Sequence, residues 1–401
     1  MNDAPRYPSY ALFAAMLSAA GLPIYIHAPK VYADEYGVSL AALGAVLAGL
    51  RLIDVVQDPL LGRLSEHLRP SRGSAVALAC AVIAVGMVAL FALPPALAPL
   101  VWFAISLTVV FSAFSFLTIN FYAQGVVRAG DGHLRLARWR ETGALVGICV
   151  ASVAPLVLGY AGYAVAFALL AVCAWLAMRG EWVTTETTAP SIGLRAVLGD
   201  GPARHLLLIA LVNAAPVAVT STLFLFFVQS RLEAPGLEGP LLLAFFLAAA
   251  LAAPGWGALA ERYGARATLG GAMLLAIAAF AVTLTLGPGD WPVFAAVCLV
   301  SGAALGADLT LLPAMFAARM ARISPSAAEG FGLWSFVSKL TLALAAGVLL
   351  PLLGSAGFDS GSGDNPDAAL ALLTLLYAGV PCLLKAVALG LLLLSPREAT
   401  A

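Results

Sequence analysis

Gly62-Arg-Leu-Ser-Glu-His-Leu-Arg69 recurs in the second half of the chain as Gly257-Ala-Leu-Ala-Glu-Arg-Tyr-Gly-Ala-Arg266. Each stretch sets Gly-x-Leu-small-Glu, then arginines, directly after a long apolar run. A motif repeated once per half, at the same place in the order of apolar runs, marks a duplicated architecture. Of the 401 residues, 62% are hydrophobic and 10% charged, whereas a soluble domain carries about 25% charged residues. The chain is therefore read as an integral membrane protein. A net charge of zero gives no basis for nucleic-acid binding. Five cysteines (Cys80, Cys149, Cys173, Cys298, Cys382) stand singly in apolar segments without metal or redox spacing.

Working outward from the repeated stretch, apolar runs long enough to cross roughly 30 Å of hydrocarbon fall in twelve places. Six lie at 8–33, 38–62, 74–95, 98–126, 138–159 and 161–179, and six at 203–230, 238–261, 267–287, 291–320, 327–353 and 368–395. The first run is too long for a cleaved leader and no small-residue cleavage site follows it, so it is read as a spanning helix. The expected organisation is an N-terminal six-helix bundle at 1–180, a cytoplasmic linker at 181–202 and a C-terminal bundle at 203–401. Arginines crowd alternate loops: Arg63, Arg69 and Arg72; Arg128, Arg135 and Arg138; Arg179, Arg195 and Arg204; Arg262 and Arg266; Arg319 and Arg322. Arg6 and Arg397 fall on the same side, while the opposite loops hold only Lys30 and Arg231 among bases. By the positive-inside rule both termini are expected in the cytoplasm.

Within the second run, Arg51-Leu-Ile-Asp-Val-Val-Gln-Asp-Pro-Leu-Leu-Gly-Arg63 places Asp54 and Asp58 one turn apart on one helix face. A charge at the centre of a membrane helix costs about 2.5–3.5 kcal/mol on insertion scales. Two acids on one face need a cation, a proton or a basic partner, which makes the pair the leading candidate for an ion-coupling site. A salt bridge of the acids with Arg51 is the structural alternative. Lys339 is a lone base in the eleventh run, either beside the acids or reaching for an interface. Asp308 in the tenth run faces substrate or a proton path, or pairs with a base. Lys385 in the twelfth reads as structural.

Two six-helix parallel repeats are the signature of the major facilitator superfamily, and the Gly257–Arg266 stretch resembles its Gly-x-Leu-Ala-Asp-Arg-x-Gly-Arg-Arg loop. That resemblance gives Glu66, Arg69, Glu261, Arg262 and Arg266 a gating role with Arg51, the alternative being a basic loop that only sets orientation. Arg51-x-x-Asp54-x-x-x-Asp58-Pro59 is similar to the helix 2 motif of the glycoside–pentoside–hexuronide:cation symporters, the family of the melibiose carrier. Tyr32-Ala-Asp-Glu-Tyr-Gly37, Arg135-Leu-Ala-Arg-Trp-Arg140 and Glu329-Gly330 followed by Ser335-Phe-Val-Ser-Lys339 resemble three further segments of that family. The resemblance implies that Asp54 and Asp58 ligate the coupling ion, with Gln57 in the place of an asparagine and Ser115 near a helix 4 hydroxyl. Lys339 would neutralise the acids while no ion is bound. Oxygen donors suit sodium and the acids alone suit a proton; the extra methylene of Gln57 favours the proton.

Substrate positions depart from the family. The two sugar-binding aspartates fall near Ser18 and Thr118, and His27, Tyr122 and Arg140 are the other candidate contacts, together with Asp308. Without the two acids a neutral polyol loses strong acceptors, and a pocket with His27, Lys30 and Arg140 better suits a solute with a carboxylate or phosphate. The expected function is a proton- or sodium-coupled secondary symporter in a cell inner membrane, importing a small polar, anionic or sugar-related solute. Transport of lysolipid or another amphiphile is the alternative, because lysolipid carriers resemble the same family. A non-transporting sensor of the same fold is the third reading. No nucleotide-binding loop or catalytic cluster occurs, so an enzyme is not expected. The expected partners are a small-molecule substrate and the bilayer, with no nucleic acid, no cofactor beyond the co-transported ion, and a monomeric state.

Overall fold

The computed structural model describes residues 5–22, 27–130, 132–182, 193–323, 327–358 and 365–395. The side chains of Lys30 and Arg51, the linker residues 183–192, and Arg397 lie outside the described residues. Every regular element among the described residues is helical. The helices are α1 (Tyr7–Leu22), α2 (Ala28–Asp34), α3 (Leu40–His67), α4 (Arg72–Phe91), α5 (Pro99–Ala129), α6 (His133–Met178) and α7 (Gly193–Gly199). They continue with α8 (Gly201–Phe226), α9 (Glu238–Tyr263), α10 (Ala265–Ala281), α11 (Trp291–Ile323), α12 (Ala328–Ser355), α13 (Asp367–Thr374) and α14 (Val380–Leu394). Eight helical stretches among the described residues are long and apolar enough to cross a membrane.

Local chemistry sets several boundaries. Ser39 starts α3 by accepting a hydrogen bond from the Ala42 N–H at 3.3 Å, which satisfies one of the donors a helix start leaves open. Pro59 sits inside α3 directly after Asp58; it has no N–H to give the carbonyl one turn back. Within α6 the backbone breaks at Gly159, with φ 71° and ψ 167°, a conformation that L side chains rarely adopt. The break falls where the sequence reading separates the runs 138–159 and 161–179.

The chain divides into two compact units. The first is Met1–Asp200 with Ala317–Phe336, and the second is Gly201–Phe316 with Val337–Ala401. In the first unit α1 lies directly on α6, because Gly143 and Gly147 present bare backbone to Ala11 and Ala15. A Cβ at Gly143 would stand 2.1 Å from the Ala11 carbonyl oxygen, and one at Gly147 2.3 Å from that of Ala15. Small residues at four-residue spacing are what bring membrane helices this close. Tyr10 and Phe13 of α1 are fully buried, with their rings 5.5 and 4.9 Å from Phe121 of α5.

The first unit reaches beyond the linker to take in the end of α11 and the start of α12, and two contacts account for that. Arg319 grips Asp200 with both Nε (2.9 Å) and Nη2 (2.5 Å), a bidentate pair. Gly332 of α12 meets α3 at Asp58, where an added Cβ would lie 2.9 Å from the Asp58 carbonyl oxygen. Gly62 returns the contact, since its Cβ would lie 3.0 Å from the Ala328 carbonyl oxygen.

The second unit repeats the close-packing device. Gly302 and Gly306 of α11 lie against Phe245 and Ala249 of α9, with added Cβ atoms at 2.2 and 2.7 Å from their carbonyl oxygens. Phe227 stacks on Tyr377 with centroids 4.3 Å apart, and Phe294 and Leu373 are fully buried beside them.

Candidate functional site

Among the described residues of the first unit, the two acids of α3 are the most deeply buried charged side chains, Asp54 at 1% and Asp58 at 0% exposure. Gln57 connects the first of them to α5: its amide Nε2 donates to Asp54 Oδ1 at 2.6 Å, and its Oε1 accepts from Ser112 Oγ at 3.0 Å. Ser335 of α12 donates through Oγ to Asp58 Oδ2 at 2.5 Å. A hydroxyl donating to an ionised carboxylate is among the stronger hydrogen bonds. Carboxylate, amide and hydroxyl oxygens from α3, α5 and α12 thus converge on one level of the unit. Such a donor set can exchange a hydrogen bond for a proton or for a hard cation.

Ser115 is buried on α5, at 1% exposure, one turn beyond Ser112. The sequence reading named Ser115 and did not name Ser112, whose contact with Gln57 depends on the register of α5 against α3. Ser335 stands in the quoted α12 segment, but its contact with Asp58 crosses most of the chain and no local pattern announces it. Lys339 lies on α12 one turn after Ser335, half-buried, in the second unit.

A second cluster forms around Arg140. Its Nε donates to Glu141 Oε1 at 2.7 Å, and its guanidinium lies over the Tyr122 ring at 3.8 Å from the centroid. Tyr122 closes the triangle by donating its hydroxyl to the same Glu141 oxygen at 3.1 Å, and its ring packs on Phe331 of α12 at 5.1 Å. Arg140 is 4% exposed, and its Nη2 has no hydrogen-bond partner. A buried guanidinium with an idle donor is costly to keep and is poised for an acceptor brought by a ligand. Phe331 and Ser335 are four residues apart on α12, so one helix face serves both clusters.

The remaining sequence candidates stand elsewhere. Ser18 is half-buried on α1. His27 precedes α2, its ring 5.6 Å from Tyr160 and its Nε2 without a partner. Thr118 donates to the Phe114 carbonyl of its own helix at 2.8 Å. Asp308 belongs to the second unit, where it pairs with Lys385. Of the repeated stretches, Glu66 bridges Arg69 at 2.7 Å. Glu261 and Arg262 are exposed, the latter 5.2 Å from the Tyr263 ring. Arg266 donates to the Leu393 carbonyl at the end of α14 at 2.5 Å.

The loop arginines also hold a network that the sequence reading took only as topological. Arg72 is buried and donates to Gln124 Oε1 at 3.3 Å, and Gln124 Nε2 donates to the Glu181 carbonyl at 2.6 Å. Arg128 Nε pairs with the Glu181 carboxylate at 3.0 Å.

Carboxylates, an amide and an arginine thus lie inside a helical scaffold with stretches long and apolar enough to cross a membrane, and a family match assigns that scaffold to the membrane transporters rather than to enzymes. Residues 9–396 match the family model described as MFS/sugar transport protein, and the chain belongs to that family. Among solved structures it is similar to a bacterial homologue of the iron transporter ferroportin in an outward-facing state. That match has a TM-score of 0.71 and 14% identity, and covers 97% of this chain and 99% of the other. It is also similar to the human organic anion transporter MFSD10 (TM-score 0.62, 17% identity, 94% and 98% covered). A third similar structure is the Escherichia coli fucose:proton symporter (TM-score 0.60, 14% identity, 95% and 97% covered). At these identities the structures share the fold alone. No curated protein matches the sequence.

Proposed function

We propose that the chain is a cation-coupled secondary symporter of the melibiose-carrier type, with twelve spanning helices, both termini cytoplasmic and an inner-membrane location. It imports a small polar solute, anionic or sugar-related, together with a proton or sodium ion. The observation that carries this reading is the burial of Asp54 and Asp58 on one face of α3, each taking a hydrogen bond from an amide or hydroxyl side chain. Burial of two acids in an apolar helix is costly, and ion or proton binding offsets that cost. Lys339 takes the acids over when the ion leaves, so loaded and empty sites are held by different contacts. The solute's acidic or hydroxyl oxygens take up the idle Nη2 of Arg140, with Tyr122 beneath it. The bundles at 1–180 and 203–401 move against each other around the linker at 181–202, and Glu66, Arg69, Glu261, Arg262, Arg266 and Arg51 latch the cytoplasmic side.

Uptake by proteoliposomes tests the reading directly. Sugars, hexuronates and lysolipids are offered under an imposed proton gradient, a sodium gradient or neither. Asp58→Asn removes the charge and keeps the shape, and gradient-driven accumulation is expected to fall at least about tenfold, because a hydrogen bond to a charged group contributes about 1.5–3 kcal/mol. Accumulation that ignores both gradients, or survives Asp58→Asn unchanged, would sink the proposal.

A further inference from the structure

The second unit contains its own buried ionic group. Lys385 of α14 pairs with Asp308 Oδ2 of α11 and donates to Asn213 Oδ1 of α8 at 2.7 Å. All three are buried, with Asp308 at 8%, Lys385 at 6% and Asn213 at 5% exposure. Asp308 Oδ1 has no hydrogen-bond partner. An ammonium has three donors, so the two described bonds leave Lys385 one N–H as well. One acceptor and one donor therefore stand side by side without a use inside the helices.

They border a cavity of about 70 Å³, walled by Pro216, Phe245, Phe280, Leu305, Pro381 and Cys382. The hydroxyls in the wall are already committed. Ser301 donates to the Val297 carbonyl at 2.6 Å and Thr220 to the Val217 carbonyl at 3.1 Å. Apart from those hydroxyl oxygens and the Cys382 sulfur, an occupant meets aromatic and aliphatic carbon, and the only charged groups in the described lining are Asp308 and Lys385.

We propose that this cavity binds a neutral, hydroxyl-bearing amphiphile, its hydroxyl donating to Asp308 Oδ1 and accepting from Lys385 Nζ. A hydroxyl supplies one donor and one acceptor, matching the idle pair. An ionised head does not match: the carboxylate and ammonium already neutralise each other, and a further charge would enter a low-dielectric wall uncompensated. At about 15 Å³ of such space per water-sized group, the cavity takes the hydroxyl and the first few carbons. The rest of the chain lies outside it. The site is independent of the coupling acids in the first unit.

Cys382 reports on occupancy. In a full-length chain keeping Cys382, with Cys80, Cys149, Cys173 and Cys298 changed to alanine, its alkylation by N-ethylmaleimide is followed. The probes are 1-octanol, octanoate, octylamine, octane, and monoolein doped into the vesicles. A bound ligand slows alkylation by 1 + [L]/Kd, about threefold at twice Kd. Protection by 1-octanol or monoolein, with little from the other three, is the expected result. Protection by monoolein alone assigns the ligand to the bilayer, and by 1-octanol alone to the aqueous phase. Equal protection by octane, octanoate or octylamine, or no protection at all, overturns the proposal. Asp308→Leu with Lys385→Met removes the polar pair without stranding a charge; in that variant 1-octanol should lose its advantage over octane. If it keeps that advantage, the pair is not the site.

Discussion

Two buried acidic sites in one molecule differ in their described hydrogen-bond partners. In the first unit, the described hydrogen bonds to Asp54 and Asp58 come from an amide and a hydroxyl, and the amide is relayed to a second hydroxyl. In the second unit, Asp308 is set directly against the ammonium of Lys385. An ammonium–carboxylate contact settles its charge internally, and removing one partner leaves a buried ion. Losing one hydroxyl or amide donor costs a single hydrogen bond. The second site is therefore the one that a single substitution disturbs most.

The largest expected effect lies at the ion pair. Lys385→Ala strands the Asp308 carboxylate, at a cost of about 3–5 kcal/mol, seen as a large fall in thermal stability in detergent. Asp308→Leu with Lys385→Met should recover most of that loss. A double variant as unstable as the single would show that Lys385 stabilises by packing and not by charge, and the contrast between the two sites would fail.

Next in size is Ser335→Ala. It removes a hydrogen bond to a carboxylate, worth about 1.5–3 kcal/mol, and should weaken cation-dependent stabilisation more than cation-free stability. An equal fall in both would make Ser335 a structural partner of α3. The smallest effect belongs to Gln57→Asn, which keeps an amide but shortens the link from Asp54 to Ser112, and so loses less than the ~1.5–3 kcal/mol of a hydrogen bond to a carboxylate removed outright. Uptake should shift its preference between proton and sodium gradients with little change in expression. An unchanged preference would remove Gln57 from the ion site.

Much of this was written in the sequence. Spacing alone sets Asp54 and Asp58 on one face of an apolar helix, and the duplicated stretches at Gly62 and Gly257 anticipate a two-part chain. The break at Gly159 falls at the junction of two apolar runs. What composition cannot carry is the register between helices. Ser112 and Ser115 are equivalent to any hydropathy pattern, and Lys385 is visible as a membrane charge while its partners lie 77 and 172 residues away. Arg72, a topogenic base by sequence, is buried against Gln124. Such pairings follow from where helices cross, and small residues such as Gly143 and Gly302 set those crossings through backbone contacts.

The crossing of α3 and α12 at Gly62 and Gly332 sets backbone against backbone, the geometry of a pivot. With backbone against backbone there is no side chain at the pivot to absorb a tilt. Ser335 lies three residues beyond Gly332, about 4.5 Å along the axis at 1.5 Å per residue. A tilt of about 15° would carry it roughly 1.2 Å by that lever arm, enough to turn a 2.5 Å hydrogen bond to Asp58 into a gap no hydrogen bond spans. The Ser335–Asp58 hydrogen bond is thus sensitive to a small change in that crossing angle.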